Sequence, residues 1–333
     1  MSEPMKMILD VDTGTDDAIA IICAYMDERI DLLAVCTTAG NKPLDKTTEN
    51  TLRVRELLGA DFPVYRGCGV PMVGTMLKAR CAAYDKEHAP KYDENGKRIE
   101  YHTDYLELPP STTKVEPEHA VWYYIDTLMK SEGDITVVLT GPMTNLAMAL
   151  RLEPQIAGKI RKVVLMGGGI LQTNVTAAAE HNIWADPEAA QILMEAGFPL
   201  WIVPLDATHR ACITAAESAY MKSLGTPVGE LVASCMEQRI FAYGYLQPMD
   251  LPDSAPVHDA LAVQVAVDPS VVTRDIFTRV DVDISGGYGD GQTIVDMRAH
   301  PTEPRNATFV LEADRDRHAR WVVGCVERFG RKA

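Results

Sequence analysis

Four aspartates near the start of the chain could do metal-ion or acid–base chemistry. Asp10, Asp12, Asp16 and Asp17 lie within the stretch "LDVDTGTDDA". A helix N-terminus stabilises a nearby carboxylate by about 0.3–1 kcal/mol, whereas two like charges ~4 Å apart repel by about 4 kcal/mol at an effective dielectric near 20. Because the helix dipole is too weak to hold such a cluster, the carboxylates must take up protons, extend into water or bind a hard cation. All-oxygen ligation by several carboxylates favours Ca²⁺; the alternative is a solvated helix cap with Asp10 paired to a lysine.

The same stretch permits a second interpretation. "DVDTGT" resembles the D-x-D-x-T start of haloacid-dehalogenase-type phosphatases, in which Asp10 would be the phosphoryl-accepting nucleophile and Asp12 an acid/base. That chemistry has no evident use for Asp16 and Asp17, and Gly14 stands where the family has threonine. A later stretch, "GDGQTIVD", matches the late acidic motif of these phosphatases imperfectly. The phosphatase is therefore the weaker hypothesis.

The surrounding pattern predicts the elements that position this cluster. Short β-rich apolar runs alternate with helical stretches, as in parallel strands joined by crossover helices. The predicted strands are "MKMILDV", "DLLAVCTT", "DITVVLT", "RKVVLMG" and "FPLWIVPL", and the predicted helices cover residues 16–26 and 44–58, follow Pro142, begin at "DPEAA" and lie between Thr214 and Tyr243. Ligands of such sheets bind at the carboxyl ends of the strands. We expect one α/β domain over residues 1–333, with an open, mostly parallel, doubly wound (Rossmann-like) sheet flanked by helices.

Two regions interrupt this alternation. Residues 67–117 lack clear periodicity and are rich in Lys, Tyr, Glu and Pro, which predicts a long lid loop over the surface. Residues 271–311 alternate apolar and polar side chains around "SGGYGDGQ", which predicts a small antiparallel addition near the C-terminus.

Charge and cysteine content exclude several classes of partner. The formal net charge of −15 would repel a nucleic-acid backbone or an anionic membrane surface. The seven cysteines are scattered and form no C-x-x-C pair, which is typical of free thiols in a reducing compartment. The apolar run after "MSEPMK" is too short for a signal peptide, and no apolar run approaches the length of a membrane span. We therefore expect a cytoplasmic protein that binds neither nucleic acid nor membrane.

Polar side chains recur at the ends of the later strands. They are Asn41 in "TTAGN", Thr140, Thr144 and Asn145 in "LTGPMTN", Asn174, Glu180 and Asn182 in "NVTAAAEHN", and His258 and Asp259 in "VHDALA". For any one of these residues alone, a helix cap or a turn is the better explanation. Their recurrence at successive strand ends favours a shared ligand site.

These motifs make the chain similar to a known family. The sequence resembles the calcium-dependent nucleoside hydrolases, the inosine-uridine-preferring nucleoside N-ribohydrolase family, over nearly its whole length. The resemblance is carried by "DVDTGTDDA", "TTAGN", "LTGPMTNLA", "VVLMGGG", the N-x5-E-x-N spacing, "DPEAA", "VPLDATH" and "HDALA". The aspartate motif combined with the distant "HD" pair is highly specific, whereas "DPEAA" or the glycine run alone would be weak.

The resemblance implies a role for each candidate residue. The Ca²⁺ ligands would be Asp12, Asp17, the backbone carbonyl of Thr140 and Asp259, with Asp10 supporting them from behind. The substrate contacts would be Asp16, Asn182 and Asp259 at the ribose diol, Asn174 and Glu180 at the 5′-hydroxymethyl group, Asn41 near Asp12, and Met166 beneath the sugar. Asp12 would take a proton from a Ca²⁺-bound water, and His258 would face the base as a proton donor.

The implied reaction is hydrolysis of the N-glycosidic bond of ribonucleosides through an oxocarbenium-like transition state. Such an enzyme would be strictly specific for ribose and would accept different bases. The resemblance also favours a homodimer or homotetramer. The non-enzymatic alternative is a ribose- or nucleoside-binding protein that keeps the Ca²⁺ site without turnover. It is disfavoured because Asp12, Asp17, Asp259 and His258 are all present together.

The base-recognition side departs from the family pattern. "YHTDYLELP" resembles the family's H-G-x-x-G-L loop, which would make His102 a base contact, but the glycines are absent and His88 competes for the role. Tyr243 and Tyr245 lie where the family often has aromatic residues near the base. His181 replaces a residue that is commonly phenylalanine. The sequence therefore leaves purine, pyrimidine and nicotinamide ribosides open as substrates.

Overall fold

An eight-stranded sheet forms the centre of the computed structural model, which describes residues 3–87, 89–300 and 302–332. The strands are β1 (Met5–Val11), β2 (Ile30–Thr37), β3 (Val64–Arg66), β4 (Lys91–Tyr92), β5 (Arg98–Ile99), β6 (Ile135–Leu139), β7 (Ile160–Met166), β8 (Leu200–Val203), β9 (Cys212–Thr214), β10 (Ser254–Pro256), β11 (Val272–Thr278), β12 (Val280–Val282), β13 (Thr293–Val295) and β14 (Ala307–Ala313). The α-helices are α1 (Thr15–Met26), α2 (Leu44–Leu58), α3 (Lys78–Glu87), α4 (Ala120–Lys130), α5 (Thr144–Leu152), α6 (His181–Ala185), α7 (Pro187–Glu195), α8 (Leu205–Thr208), α9 (Ala215–Ser223), α10 (Pro227–Leu246), α11 (His258–Val267) and α12 (Arg315–Lys332).

The sheet is parallel except at one edge, and helices cover both of its faces. The strand order is β11-β14-β8-β7-β6-β1-β2-β3, and only the pairing of β11 with β14 is antiparallel among the described strands of this sheet. Successive residues of β1 point to opposite faces. Met7 and Leu9 join the buried cluster that includes α1, α10, α11 and α12, whereas Ile8 joins the one that includes α4, α5 and α7. The predicted doubly wound α/β fold is confirmed.

The two irregular regions contain more structure than their sequences indicate. The region 67–117 includes a 3-10 turn at Gly74–Met76, helix α3 and the hairpin of β4 and β5. Near the C-terminus, β12 and β13 form the predicted antiparallel pair, but β14 pairs in parallel with β8 and so extends the central sheet. Within the described ranges, no helix has the length and apolar character that a membrane crossing needs.

A buried histidine in α12 makes stability sensitive to acid. Nδ1 of His318 lies 2.8 Å from Oε1 of Gln264 in α11, and burial lowers the pKa of His318 to about 3. The unfolded chain, with a pKa near 6.5, binds a proton that the native protein refuses between about pH 3 and 6.5. The contribution of neutral His318 to the free energy of unfolding is therefore fully present above about pH 6.5. As the pH falls from there toward 3, that free energy decreases by up to about 1.4 kcal/mol per pH unit.

In the His318→Gln variant we expect the free energy of unfolding to depend less steeply on pH, by the amount that corresponds to the uptake of about one proton on unfolding. The measurement is the free energy of unfolding in denaturant at several pH values between about 4 and 7. His300→Gln, at an exposed position, is the matched control. A His318→Gln variant with the full wild-type slope would contradict the assignment.

Candidate active site

The aspartate cluster lies where β1 ends and α1 begins. Asp17, in the first turn of α1, accepts a hydrogen bond from the backbone N–H of Gly14 through Oδ2 (2.9 Å). This bond satisfies one of the amide groups that the start of a helix leaves without a partner. The other oxygen of Asp17 accepts from the hydroxyl of Thr140, 2.9 Å away just after β6. The two contacts fix a buried carboxylate at the carboxyl end of the sheet.

Three buried carboxylates meet at this point. Asp16, Asp17 and Asp259 each offer one oxygen, and these oxygens all lie within 4.8 Å of one another. Asp12 adjoins the group, because Nδ2 of Asn41 lies 3.2 Å from both Asp12 Oδ1 and Asp17 Oδ2. Burial, and then the charge of neighbouring carboxylates, raises the pKa of Asp12 and of Asp259 well above the usual range and that of Asp17 to about 6. Ionising the whole group therefore requires compensating positive charge.

The donor set fits a hard divalent cation. The side chains of the group all offer carboxylate oxygen, which Ca²⁺ and Mg²⁺ prefer. Asp16 Oδ1 is buried and accepts no hydrogen bond from the described residues, although Nη1 of Arg239 lies 2.9 Å away as an ion pair. Of the implied ligands, Asp17 and Asp259 lie in the group and Asp12 lies beside it. Asp16, implied as a ribose contact, also belongs to the group.

Asp10 stands behind the cluster. Its Oδ2 accepts a hydrogen bond from the hydroxyl of Tyr124 (3.0 Å), and both of its oxygens lie 3.1 Å from Nδ2 of Asn145. Burial nevertheless raises the pKa of Asp10 to about 7. Asp10 is not among the described residues that line the adjoining cavity. Asp12 is not among those lining residues either, but it lies beside Asp17 in the carboxylate group, whereas Asp10 is turned toward Tyr124 and Asn145; this placement gives Asp10 a supporting position and does not favour the phosphatase hypothesis.

Two members of the carboxylate cluster, Asp16 and Asp259, line a cavity. Besides Asp16 and Asp259, the cavity is lined by the other sugar contacts that the resemblance implies, namely Asn41, Met166, Asn174, Glu180 and Asn182. Nδ2 of Asn182 donates to the backbone carbonyl of Thr140 (2.7 Å) and to that of Met166 (3.2 Å). Asn182 thus joins the carbonyl of Thr140, which the family resemblance implies as a metal ligand, to Met166, which it implies lies beneath the sugar.

Glu180 is held in place by backbone amides at the start of α6. Its Oε1 accepts from the N–H of Asn182 and its Oε2 from that of Gly168, both at 2.9 Å. Gly168 has a φ of 76°, a left-handed conformation that glycine adopts without steric strain. Burial raises the pKa of Glu180 to about 7. Asn174 likewise accepts a backbone hydrogen bond, so both side chains are ordered without a ligand.

A histidine and a tyrosine contact each other in the wall of the cavity. Nε2 of His258 lies 2.5 Å from the hydroxyl of Tyr243, and Nδ1 lies 2.7 Å from the hydroxyl of Thr208. Burial, and then the charge of Arg239, lowers the pKa of His258 well below its usual value, so its imidazole is neutral at pH 7. Tyr245 is 46% exposed and is not among the described residues lining the cavity. The structure therefore brings Tyr243, but not Tyr245, to the site.

The region 67–117 supplies the roof of the cavity. Residues 89–91 and 98–102 line it. Nδ1 of His102 accepts a hydrogen bond from the backbone N–H of Thr15 (3.1 Å) and lies 3.8 Å from Oδ1 of Asp16. His102 therefore reaches the cavity beside the aspartate cluster.

Ion pairs and hydrogen bonds hold this roof in position. Nζ of Lys42 lies 3.2 Å from Oε2 of Glu100, and Nε2 of Gln238 donates to the backbone carbonyl of Glu100 (2.5 Å). Arg80 in α3 forms further ion pairs with residues outside the region. His88, the competing base contact, lies outside the described residues. Part of the cavity wall is thus formed by a segment that is fastened at several points.

Sequence reasoning missed several residues of this site. Lys42, Tyr101 and Arg239 line the cavity, and Thr208 and His209 lie beside His258. Arg239 and Thr208 are each only 1% exposed. Nε of Arg239 donates to the carbonyl of Pro256 (2.9 Å). The sequence did contain one indication that Arg239 belongs to the site. Arg239 precedes the candidate Tyr243 by four positions, so the two side chains share a face of α10.

Glycines enclose the carboxylate of Asp12 so closely that a side chain would displace it. A methyl group on Gly40 would lie 2.0 Å from Oδ2 of Asp12 and 2.7 Å from Cδ of Pro142. We expect Gly40→Ala to lower kcat on the order of 100-fold, since displacements of this size disrupt reacting geometry. Gly158→Ala, where a methyl group meets no atom within 4 Å, is the control. Wild-type kcat in a correctly folded Gly40→Ala protein would show that the position of Asp12 does not matter.

Comparisons with known proteins agree with this arrangement. The family model described as inosine-uridine preferring nucleoside hydrolase matches residues 7–320. The pyrimidine-specific ribonucleoside hydrolase RihB of Escherichia coli (strain K12) is 38% identical over 330 residues, covering 98% of this chain and 96% of the relative. RihB of Shigella flexneri is 38% identical over 329 residues with the same coverage.

Solved structures show the same similarity. A purine-preferring ribonucleoside hydrolase from Gardnerella vaginalis matches with a TM-score of 0.83 and 32% identity, covering 98% of this chain and 100% of that one. The plant nucleoside hydrolase PpNRh1 matches with a TM-score of 0.81 and 28% identity, covering 97% of this chain and 99% of that one. The family model, over residues 7–320, extends from within β1 into α12. The chain therefore belongs to the inosine-uridine preferring nucleoside hydrolase family and is a nucleoside hydrolase.

Proposed function

We propose that this enzyme hydrolyses ribonucleosides to ribose and free base in a Ca²⁺-dependent reaction at the cavity described above. The observation that carries the proposal is the buried group of Asp16, Asp17 and Asp259, of which Asp16 and Asp259 line a cavity together with amide and carboxylate side chains. Asp12, Asp17, Asp259 and the carbonyl of Thr140 would hold the ion. When bound, Ca²⁺ would orient and polarise the attacking water.

Asp12 is the proposed general base. Its carboxylate is fully buried, and the backbone N–H of Asn41 donates to its Oδ2 (2.6 Å). The side-chain amide of Asn41 also donates to its Oδ1 (3.2 Å), so the carboxylate is held in one orientation, as a general base requires. The proton of the attacking water would move to Asp12 as the water oxygen approaches C1′ of the ribose.

The sugar side of the cavity would stabilise the transition state. Cleavage of an N-glycosidic bond leaves positive charge on the ribose ring, which nearby carboxylates stabilise. Asp16, Asn182 and Asp259 would bind the diol, and Asn174 and Glu180 the 5′-hydroxymethyl group. Met166 would pack beneath the ring. Binding energy at these remote hydroxyls can orient and distort the sugar, so we propose a strict requirement for ribose.

His258, Tyr243 and His102 would meet the base. The proposed role of His258 is to assist the departing base through the hydroxyl of Tyr243, because both of its ring nitrogens already contact hydroxyl groups, those of Tyr243 and Thr208. The names of the relatives differ on the base: RihB is called pyrimidine-specific, and the Gardnerella enzyme purine-preferring. The higher identity to RihB favours a pyrimidine. We also propose that the enzyme works in the cytoplasm as a homodimer or homotetramer, in keeping with its free cysteines.

A reducing-sugar assay for free ribose tests the proposed function. Inosine, adenosine, guanosine, uridine, cytidine and nicotinamide riboside are each incubated with the enzyme in Ca²⁺ and in EGTA. We expect Ca²⁺-dependent ribose release from at least one substrate. Calorimetric binding of ribose without any turnover would instead support the nucleoside-binding alternative.

A further inference from the structure

One permanently charged side chain is buried in the wall of the cavity and has no role in the reaction as outlined. Among the described residues lining the cavity, Arg239 is the only fully buried lysine or arginine. Its Nη1 donates to the hydroxyl of Thr15 (3.2 Å) and lies 2.9 Å from Oδ1 of Asp16, while Nε is held by the Pro256 carbonyl. Its guanidinium carbon lies 5.5 Å from the centre of the Tyr243 ring. The charge is therefore fixed between the carboxylate cluster and the Tyr243–His258 pair.

This position is unfavourable for two steps that the reaction needs. A bound divalent cation and the positive charge that develops on the ribose are both repelled by a neighbouring guanidinium. Removing arginine from water also carries a desolvation penalty that only good partners offset. The one reacting group that gains negative charge is the departing base. The ion pair with Asp16 offsets part of the desolvation cost, and the departing base is the reacting group that would gain from the remaining charge.

The guanidinium retains donors for such a contact. Arginine carries five N–H groups in a rigid planar fork. Nε and Nη1 bind the groups named above, whereas Nη2 donates to no residue in the described part of the chain. The two N–H groups of Nη2 therefore remain available to a ligand in the cavity, while the positive charge is shared with Asp16.

We infer that Arg239 is a specificity-determining residue that favours neutral ribonucleosides whose base departs with negative charge, such as uridine, in which that charge spreads to a carbonyl oxygen next to the cleaved nitrogen. The inference rests on the proposed function. As the C1′–N1 bond breaks, its electron pair passes to N1 and is delocalised onto O2, next to the guanidinium. The water oxygen bonds to C1′, its proton passes to Asp12, and the base anion takes a proton from solvent after release.

The same charge disfavours ribosides with a cationic base. In nicotinamide riboside the glycosidic nitrogen is already positive, and the base leaves as a neutral molecule. The guanidinium then repels the substrate and gains nothing as the bond breaks. Arg239 would thereby separate two classes of riboside that the sugar contacts cannot distinguish.

The test compares Arg239→Gln and Arg239→Lys with the wild type by kcat/KM on uridine, nicotinamide riboside and p-nitrophenyl β-D-ribofuranoside. For Arg239→Gln we expect a loss of roughly 100-fold or more on uridine, similar to the loss of one oxyanion-hole donor. The loss on the p-nitrophenyl riboside should be much smaller, because p-nitrophenolate is a far more stable anion than a uracil anion. Activity on nicotinamide riboside should stay level or rise, and Arg239→Lys should retain part of the uridine activity.

Other outcomes separate the alternatives. An equal loss on all three substrates would overturn the inference and show that Arg239 only orients Asp16. A wild-type preference for nicotinamide riboside would also overturn it, even if Arg239→Gln failed to fold. Wild-type enzyme that hydrolyses none of the nucleosides would refute the proposed function instead. Arg315→Gln, which removes a partly buried arginine outside the cavity, is the matched control and should not change the substrate ranking.

Discussion

Replacing Asp12 by asparagine is expected to lower kcat for ribonucleoside hydrolysis by roughly 10²–10⁴-fold, the usual contribution of a general base. Asparagine has nearly the same shape but cannot accept the proton of the attacking water. Asn41 would still contact the new side chain, since its backbone N–H can donate to the remaining carbonyl oxygen. Much of the ribose affinity should therefore survive, because the residues proposed to bind the sugar are unchanged.

The measurement pairs single-turnover hydrolysis with calorimetric binding of ribose. Asp27→Asn is a matched control, because Asp27 is also a buried aspartate but pairs with Arg29 and Trp321 away from the cavity. It should lose stability rather than kcat. An Asp12→Asn enzyme that hydrolyses at the normal rate would exclude Asp12 as the base. Loss of both turnover and ribose binding would indicate that the site had collapsed.

Removing the metal is expected to abolish hydrolysis and to destabilise the protein. Burial and mutual repulsion raise the pKa of Asp12, Asp17 and Asp259 in the absence of metal. The unfolded chain ionises these groups near pH 4. Since the native state holds their protons to higher pH, the contribution of these three carboxylates to the stability of the metal-free protein is most favourable below about pH 4. It is lost as pH rises through the folded values, which include about 6 for Asp17.

Calcium should reverse this loss by binding the ionised carboxylates. Ion present at about 100 times its Kd would add about 2.7 kcal/mol to the free energy of unfolding. The measurement is thermal unfolding and ribose release at pH 7 in EGTA, followed by titration with Ca²⁺, Mg²⁺ or Mn²⁺. Asp259→Asn should weaken the stabilisation by the ion. Full activity after exhaustive chelation would rule out a metal-dependent mechanism, and rescue by Mg²⁺ alone would replace calcium as the proposed ion.

The amino-acid sequence by itself determined the secondary structure around the site and the identity of most of the candidate residues. The strand predicted from "MKMILDV" is β1, and the helix predicted over residues 44–58 is α2. These elements follow from side-chain periodicity and from signals at their ends, which act over a few neighbouring residues. The recurrence of polar residues after successive strands is also a local pattern, and parallel pairing brings such strand ends to one edge.

The tertiary structure alone decided which side chains share a cavity. Tyr243 and Tyr245 were equal candidates in the sequence, but residues two apart on a helix point in nearly opposite directions, and packing of α10 buries only Tyr243. Arg239 meets Asp16 because α10 packs against α1, a contact between elements far apart in the chain. The partner of a helix face depends on the packing of the whole domain, which no local pattern records. The aspartates of the site are therefore predictable from the sequence, whereas their contact with the guanidinium of Arg239 is not.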